Sequence, residues 1–289
     1  MIEVVIESRR RSIGRLQVAR VLPFAKRRMV GPFIFFDHLG PVDLPKDLSK
    51  NVDVLPHPHI GLSTVTYLFA GEVMHRDSTG VEQAIRPGEM NWMVAGSGIT
   101  HSERFERARR EGGPVHAIQS WVALPQGDEE TTPTFAHHEN DALPIHRESG
   151  VWMRLLAGEA YGLRAAVKTH SPLFYAHVTL EPGASIALPR EYSERAAYLA
   201  SGTLEADGQA IAPMQMAVFD KNAPSIVKAS TESVVMILGG EPVGERFIEW
   251  NFVSSSKERI AQAKADWRAG RIKLPDLDNA ESTPLPPEV

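Results

Sequence analysis

No cysteine occurs among the 289 residues. That absence excludes disulfides, thiolate nucleophiles, iron–sulfur clusters and thiolate-bound zinc, and it fits a reducing compartment. No stretch approaches the roughly 18 apolar residues of a membrane-spanning helix. The opening MIEVVIESRRRSIGRL lacks the uninterrupted apolar core of a signal peptide. A cytoplasmic protein without membrane contact is the expectation. A basic field is also missing: the net charge of −5 and pI near 6.1 argue against direct nucleic-acid binding. The short runs Arg9-Arg10-Arg11, Lys26-Arg27-Arg28 and Arg109-Arg110 read as solvated edges. Neither a dinucleotide fingerprint nor a phosphate loop is present. The segment AGSGI around Ser97 does not match a nucleophile elbow, so the serines flanking His101 do not make a Ser–His–Asp hydrolase.

What is present is a chain with 43% hydrophobic and 23% charged residues, enough to fill two domains. Its dominant pattern is short β-type runs: IEVVIE (2–7), TVTYLFA (64–70), HAIQSWVAL (116–124), FYAHVTL (174–180) and SVVMILGG (233–240). Such runs, punctuated by Gly, Pro, Asn and Asp, predict an all-β sandwich or barrel. A Pro-, Gly- and acid-rich stretch over residues 124–146 separates two β-rich halves. The expected domains are therefore an N-terminal barrel over 1–130, a linker over 131–145, a C-terminal barrel over 146–245, and a helix and tail over 246–289. Ser255 and Glu258 have capping-box spacing ahead of KERIAQAKADWRAG. Ile260, Ala263 and Trp267 share a face of that helix, Gly270 stops it, and the Pro- and acid-rich tail is expected to be extended.

The two halves resemble each other. Tyr67-Leu68-Phe69-Ala70-Gly71 aligns with Tyr198-Leu199-Ala200-Ser201-Gly202, an offset of 131 between Tyr67 and Tyr198. Ile85-Arg86-Pro87 aligns with Ile211-Ala212-Pro213 at an offset of 126. A duplicated barrel is implied. Carried back at the first offset, His57-Pro58-His59 falls on Leu188-Pro189-Arg190, so the second copy loses both histidines.

Those histidines are the first chemical signal. Residues i and i+2 of a strand face the same way, and Pro58 suits a strand start or edge. His57 and His59 are thus held side by side. In RPGEMNWMVAGSGITHSERF (86–105), His101 and Glu103 repeat the i, i+2 spacing. Two antiparallel strands would bring His57, His59, His101 and Glu103 together. Three imidazoles and a carboxylate suit Fe(2+), and also manganese, nickel, cobalt, copper or zinc.

FFDHLGP (35–41), PHPHIGLSTVTYL (56–68), HRDSTG (75–80) and PGEMNWMVAGSGITHSE (87–103) closely resemble the signature of the pirin family, within the bicupin superfamily. The motifs cover most of the first half; the second half fits less distinctively. The resemblance implies two tandem cupin barrels, jelly-roll-like, with a mononuclear iron in the first and none in the second. The matching metal positions are His57, His59, His101 and Glu103. It further implies a quercetin 2,3-dioxygenase-type activity on a small aromatic, flavonol-like substrate with dioxygen, Glu103 also accepting the proton of the 3-hydroxyl. The other implied role is that of an iron-dependent regulator acting through a protein partner. The chain departs from many pirins at Ile60 and Ser63, where the wall near the metal is expected to differ.

His38 is expected to be a hydrogen-bonded structural residue; His75 reads equally as part of a salt-bridged hairpin or as a partner behind a metal-bound imidazole, since such rings usually want a carboxylate or carbonyl contact. His137-His138-Glu139 is expected in an exposed loop of the linker. Trp92 and Met93, alternating with Asn91, are expected in the core, with one of them able to line the cavity.

Overall fold

The computed structural model describes residues 1–13 and 15–287. Strands dominate, as expected for an all-β chain, and the longest helix is Lys257–Arg268.

Two compact units are formed, and neither is contiguous in sequence. The first holds Arg11–Val18, Leu39–His137 and the chain from Gly244 onward; the second holds Met1–Arg10, Ala19–His38 and His138–Val243. The break at His137/His138 falls inside the expected linker and that at Val243/Gly244 close to 245, but residues 1–10 and 19–38 join the second unit and the chain from Gly244 joins the first. Two pieces of backbone explain the difference. Strand Ile2–Glu7 pairs antiparallel with Gln215–Phe219, so the N-terminus completes the second unit. Strand Phe33–Leu44 carries the chain from the second unit to the first, the change falling between His38 and Leu39.

In the first unit, Val54–His59, Ile99–Arg104, Val73–Asp77 and Glu82–Ile85 are neighbours, in that order, in one sheet. A second sheet contains Thr134–His138, Met90–Val94, Leu62–Ala70 and Gly113–Ala123 as successive strands. The expected linker thus supplies an edge strand. Cross-strand partners share a face. Thr66 lies opposite Gln119 and Asn91, and Thr64 opposite Trp121 and Met93. This face looks onto the first sheet, because the Trp121 ring lies 5.0 Å from that of His59. Gly61 joins the strands of His59 and Thr64 with φ +67°, and a Cβ there would lie 2.1 Å from the Val253 carbonyl oxygen. Only glycine fits that approach.

The C-terminal segment belongs to the first unit. Ile60 packs with Phe252, Ile260 and Ala263, with Trp267 against the same cluster. The helix face expected from spacing is therefore the buried one. Its cap is Ser256 rather than Ser255: the Ser256 hydroxyl accepts the Arg259 N–H. Ser255 is instead tied to the buried Glu129 carboxylate. Gly270 follows the helix at φ +66°, as a stop should. The tail has no regular structure between Lys273 and Pro287 apart from turns, but it is anchored: the Thr283 N–H donates to the Pro56 carbonyl at 2.8 Å.

In the second unit, one sheet runs Ile2–Glu7, Gln215–Phe219, Glu194–Ser201, Ser233–Gly240, Leu173–Leu180, Val151–Ala160 and Ile145–Glu148. The other runs Ser185–Ala187, Ile226–Ala229, Leu204–Ala206 and Gln209–Ile211. Residue pairing confirms the duplication. Tyr67 pairs with Met90, and Tyr198 with Met216, preserving both offsets. One offset needs correction at the histidine strand. His101 pairs with His57, whereas Val227 pairs with Ile186. His59 pairs with Ile99, and the Leu188 N–H donates to the Ser225 carbonyl. The counterparts of His57 and His59 are therefore Ile186 and Leu188, not Leu188 and Arg190. The two barrels differ by two residues in the turn that follows, and Arg190 falls in the exposed longer turn.

Candidate metal centre

His57, His59 and His101 are all buried. Each offers a ring nitrogen, and the three atoms lie within 4.8 Å of one another. His59 Nε2 and His101 Nε2 are 3.2 Å apart. Two nitrogens about 2.1 Å from a common ion and at a right angle to each other lie about 3 Å apart, so this spacing fits a shared metal.

Hydrogen bonding fixes which nitrogen each ring presents. His57 Nδ1 lies 2.8 Å from the Leu55 carbonyl, and His59 Nδ1 lies 3.0 Å from the Asn251 carbonyl. A carbonyl only accepts, so both Nδ1 atoms carry hydrogen and both Nε2 atoms are lone pairs. His101 Nδ1 faces His75 Nδ1 at 3.3 Å. Burial pushes the His57 ring down to about 4, and it holds His59 and His101 well below the usual imidazole range. The neighbouring rings press His59 and His101 in the same direction. Burial thus favours the neutral rings, and His57 and His59 turn a bare Nε2 toward the cluster, where a divalent cation could bind.

Glu103 shares the face of His101 but does not join the tight cluster, which among the described residues contains the three histidines alone. Opposite His101 and Glu103, the partner strand pairs through His57 and Val54, so three steps face two. This bulge sets the carboxyl apart, beside the Thr66 hydroxyl. Burial pushes Glu103 up to about 7, against a smaller opposing effect of Thr66. Thr66 is itself bonded to Gln119 at 2.6 Å.

The remaining histidines sort as follows. His38 is hydrogen-bonded through Nδ1 to the Tyr198 hydroxyl at 2.7 Å, a structural contact within the second unit. His75 is at the site, behind His101, and its Nε2 lies 3.0 Å from Asp77 Oδ2, so it both backs the cluster and pairs within its own hairpin. Burial works against the Asp77 charge, but hydrogen bonds from His75 and Thr79 hold its carboxyl below the usual range. His137 departs from expectation. It lies in a strand, part-buried, with Nδ1 2.7 Å from Asn91 Oδ1. Two positions along, Phe135 stacks on His75 with ring centres 4.6 Å apart. Trp92 and Met93 are both core residues, and Met93 shares with Asn91 the face turned toward the histidines.

Two expectations about the wall are overturned. Ile60 packs against the terminal helix rather than the cavity. Ser63 alternates with Thr64 and so points away from the histidines. The wall is instead built by Thr64, Thr66, Met93, Gln119, Trp121 and Phe135. Of these, Gln119 and Trp121 were visible as an i, i+2 pair in HAIQSWVAL. The Asn251 carbonyl, 192 residues from His59, left no sequence signal. Ser102 and Arg104 point outward, where both donate to Asp278.

A family model described as Pirin matches residues 15–122, and one described as Pirin C-terminal cupin domain matches residues 175–273. A pirin-like protein of Caulobacter vibrioides is 58% identical over 287 residues, covering 99% of this chain and 100% of the relative. A Pseudomonas aeruginosa protein named "Putative quercetin 2,3-dioxygenase" is 37% identical over 94% of this chain and 85% of its own. A crystal structure of quercetin 2,3-dioxygenase from Acinetobacter baumannii superposes with a TM-score of 0.90 at 30% identity, covering 99% of this chain and 95% of that one.

Proposed function

The chain belongs to the pirin family, and we propose that its first barrel is a mononuclear iron(II) centre that cleaves flavonols such as quercetin with dioxygen. One observation carries this reading: three buried imidazoles bring ring nitrogens within 4.8 Å of one another, with the Glu103 carboxyl on the same face of the strand as His101. The relatives named for quercetin 2,3-dioxygenase activity support the same choice of substrate class.

His57, His59 and His101 would hold the ion through Nε2, with Glu103 as the fourth ligand; three nitrogens and one carboxylate oxygen suit iron(II). When bound, the iron would supply the redox chemistry and open positions for a substrate oxygen and dioxygen. Glu103 accepts the proton of the flavonol 3-hydroxyl. Proton transfer of this kind is worth typically about 100- to 10,000-fold in rate. Thr66, held by Gln119, orients the carboxyl. Trp121, Phe135 and Met93 offer the flat and apolar surface that an aromatic ring system requires.

The test is turnover by protein purified without oxygen and analysed for metal. Iron-loaded protein mixed with quercetin and air should bleach the flavonol and release carbon monoxide, and metal-free protein should not. Iron-loaded protein that turns over no flavonol would contradict the proposal and leave regulation through a protein partner as the better account.

A further inference from the structure

Building on the metal reading, we infer that Asp77 and His75 form a tautomer relay that aims His101 Nε2 at the ion, which makes them positioning residues. His57 and His59 are oriented by backbone carbonyls. His101 has a side chain in that place, and an imidazole can either donate or accept. Something must decide which.

The decision starts in the turn after Asp77. Its Oδ1 accepts from the Thr79 N–H at 2.8 Å, the Thr79 hydroxyl at 2.6 Å and the Val81 N–H at 3.3 Å. Oδ2 faces His75 Nε2 at 3.0 Å. A carboxylate only accepts, so His75 Nε2 carries the hydrogen, and in the neutral ring Nδ1 is left bare. That bare nitrogen lies 3.3 Å from His101 Nδ1, which must therefore donate. His101 Nε2 is then a lone pair, turned toward His59 Nε2. Phe135, stacked on His75, restrains its ring plane. All of these groups lie in the first unit.

The second barrel offers an internal control. Glu103 pairs with His75, and its counterpart Ala229 pairs with Leu204. Two residues along the same register, Ala206 stands where Asp77 does. The barrel that lacks the ligands lacks the relay as well, and both replacements are buried and apolar.

Asp77→Asn makes the relay testable because it keeps the shape and inverts the logic. The three donors at Oδ1 hold the amide oxygen there, which turns the amide nitrogen toward His75 Nε2. That nitrogen donates, His75 Nδ1 gains the hydrogen, His101 Nδ1 must accept, and a hydrogen appears on His101 Nε2 where the metal belongs. Zinc(II) affinity, measured by competition with a chromophoric chelator, should fall about 10- to 100-fold, as for other partners of metal-bound histidine. Nitrogen-15 NMR of the metal-free proteins should show His101 protonated on Nδ1 in wild type and on Nε2 in Asp77→Asn. His75→Leu should weaken zinc to a similar degree, and His75→Gln, whose amide oxygen can accept from His101, should recover most of the affinity.

A folded Asp77→Asn protein with wild-type zinc affinity and an unchanged His101 tautomer would overturn the relay. If Asp77→Asn fails to fold, equal zinc affinity in His75→Leu and His75→Gln overturns it instead. A wild type that binds no zinc overturns the metal reading itself, and the relay with it; a wild type that binds while the variants match it overturns the relay alone.

Discussion

The two barrels share a strand order and a pairing register but differ in what fills corresponding positions. The first places His57, His59, His75, His101 and Glu103 on the inner face of its smaller sheet. The second places Ile186, Leu188, Leu204, Val227 and Ala229 at the matching points, all buried. Apolar side chains there pack without solvation cost, whereas four buried imidazoles and a carboxyl give up water for only a few hydrogen bonds. The second barrel shows what the scaffold prefers when it has nothing to bind. The first is therefore a site held against the preference of its own fold.

The largest expected effect comes from erasing the difference. His57→Ile/His59→Leu/His101→Val/Glu103→Ala copies the second barrel into the first. Metal analysis should fall from one ion per chain to none. Metal-free variant should still fold, the relief of burying four polar side chains being offset by the partners left behind at the Leu55 and Asn251 carbonyls and His75 Nδ1. A variant that retained stoichiometric metal would move the site elsewhere in the chain.

Glu103→Gln is the narrower change. It keeps the shape and one weak oxygen ligand while removing the basic site. Much of the metal should remain, with flavonol turnover down by at least about 100-fold. Full turnover by metal-replete variant would remove the base role. Joint loss of metal and activity would leave only the ligand role.

The cost of the buried imidazoles should also appear as a pH dependence of the metal-free protein. His57 titrates at about 4 when folded and near 6.5 when unfolded, so the unfolded chain binds the extra proton between those values. Stability must then fall as pH drops through that window, by about 3 kcal/mol from His57 alone. His59 and His101, lowered for the same reason, act in the same sense. Glu103 acts oppositely: raised from 4.5 to about 7, it favours the folded state as pH falls. Three histidines against one carboxyl leave a net loss toward acid. Urea denaturation from pH 7 to pH 4 should show it in wild type and show it much reduced in the fourfold variant.

The smallest effect is expected at Arg190, which the repeat offset alone would set opposite His59. It is exposed in a turn, so Arg190→Ala should change stability by no more than about 0.5 kcal/mol. A larger loss by thermal melting would return Arg190 to the interior.

Much of this was legible in the residues. The i, i+2 histidine pairs fixed the shared face of the ligands, and the strand runs fixed the β architecture, because both rest on the two-residue period of a strand. The duplication was visible too, but its register slipped by two residues at Leu188, since a longer turn leaves no trace in a five-residue match. The unit to which Ile2–Glu7 belongs was hidden because that strand pairs with one more than 200 residues away, and no local pattern reports that. His137 was misplaced for a related reason: the polar, Pro-rich composition of 131–145 resembles a loop, yet Thr134–His138 finds an edge to pair with. The Asn251 carbonyl and the Asp77 relay are products of tertiary structure, and only the spacing of His75 and Asp77 hinted at the second.

Anomalous diffraction from a crystal of the metal-loaded protein is the most direct test of the difference between the barrels. The account predicts one strong peak per chain, about 2.0–2.3 Å from Nε2 of each of His57, His59 and His101, and no peak beside Ile186, Leu188 or Val227. Contact through Nδ1, or a peak in the second barrel, would contradict it.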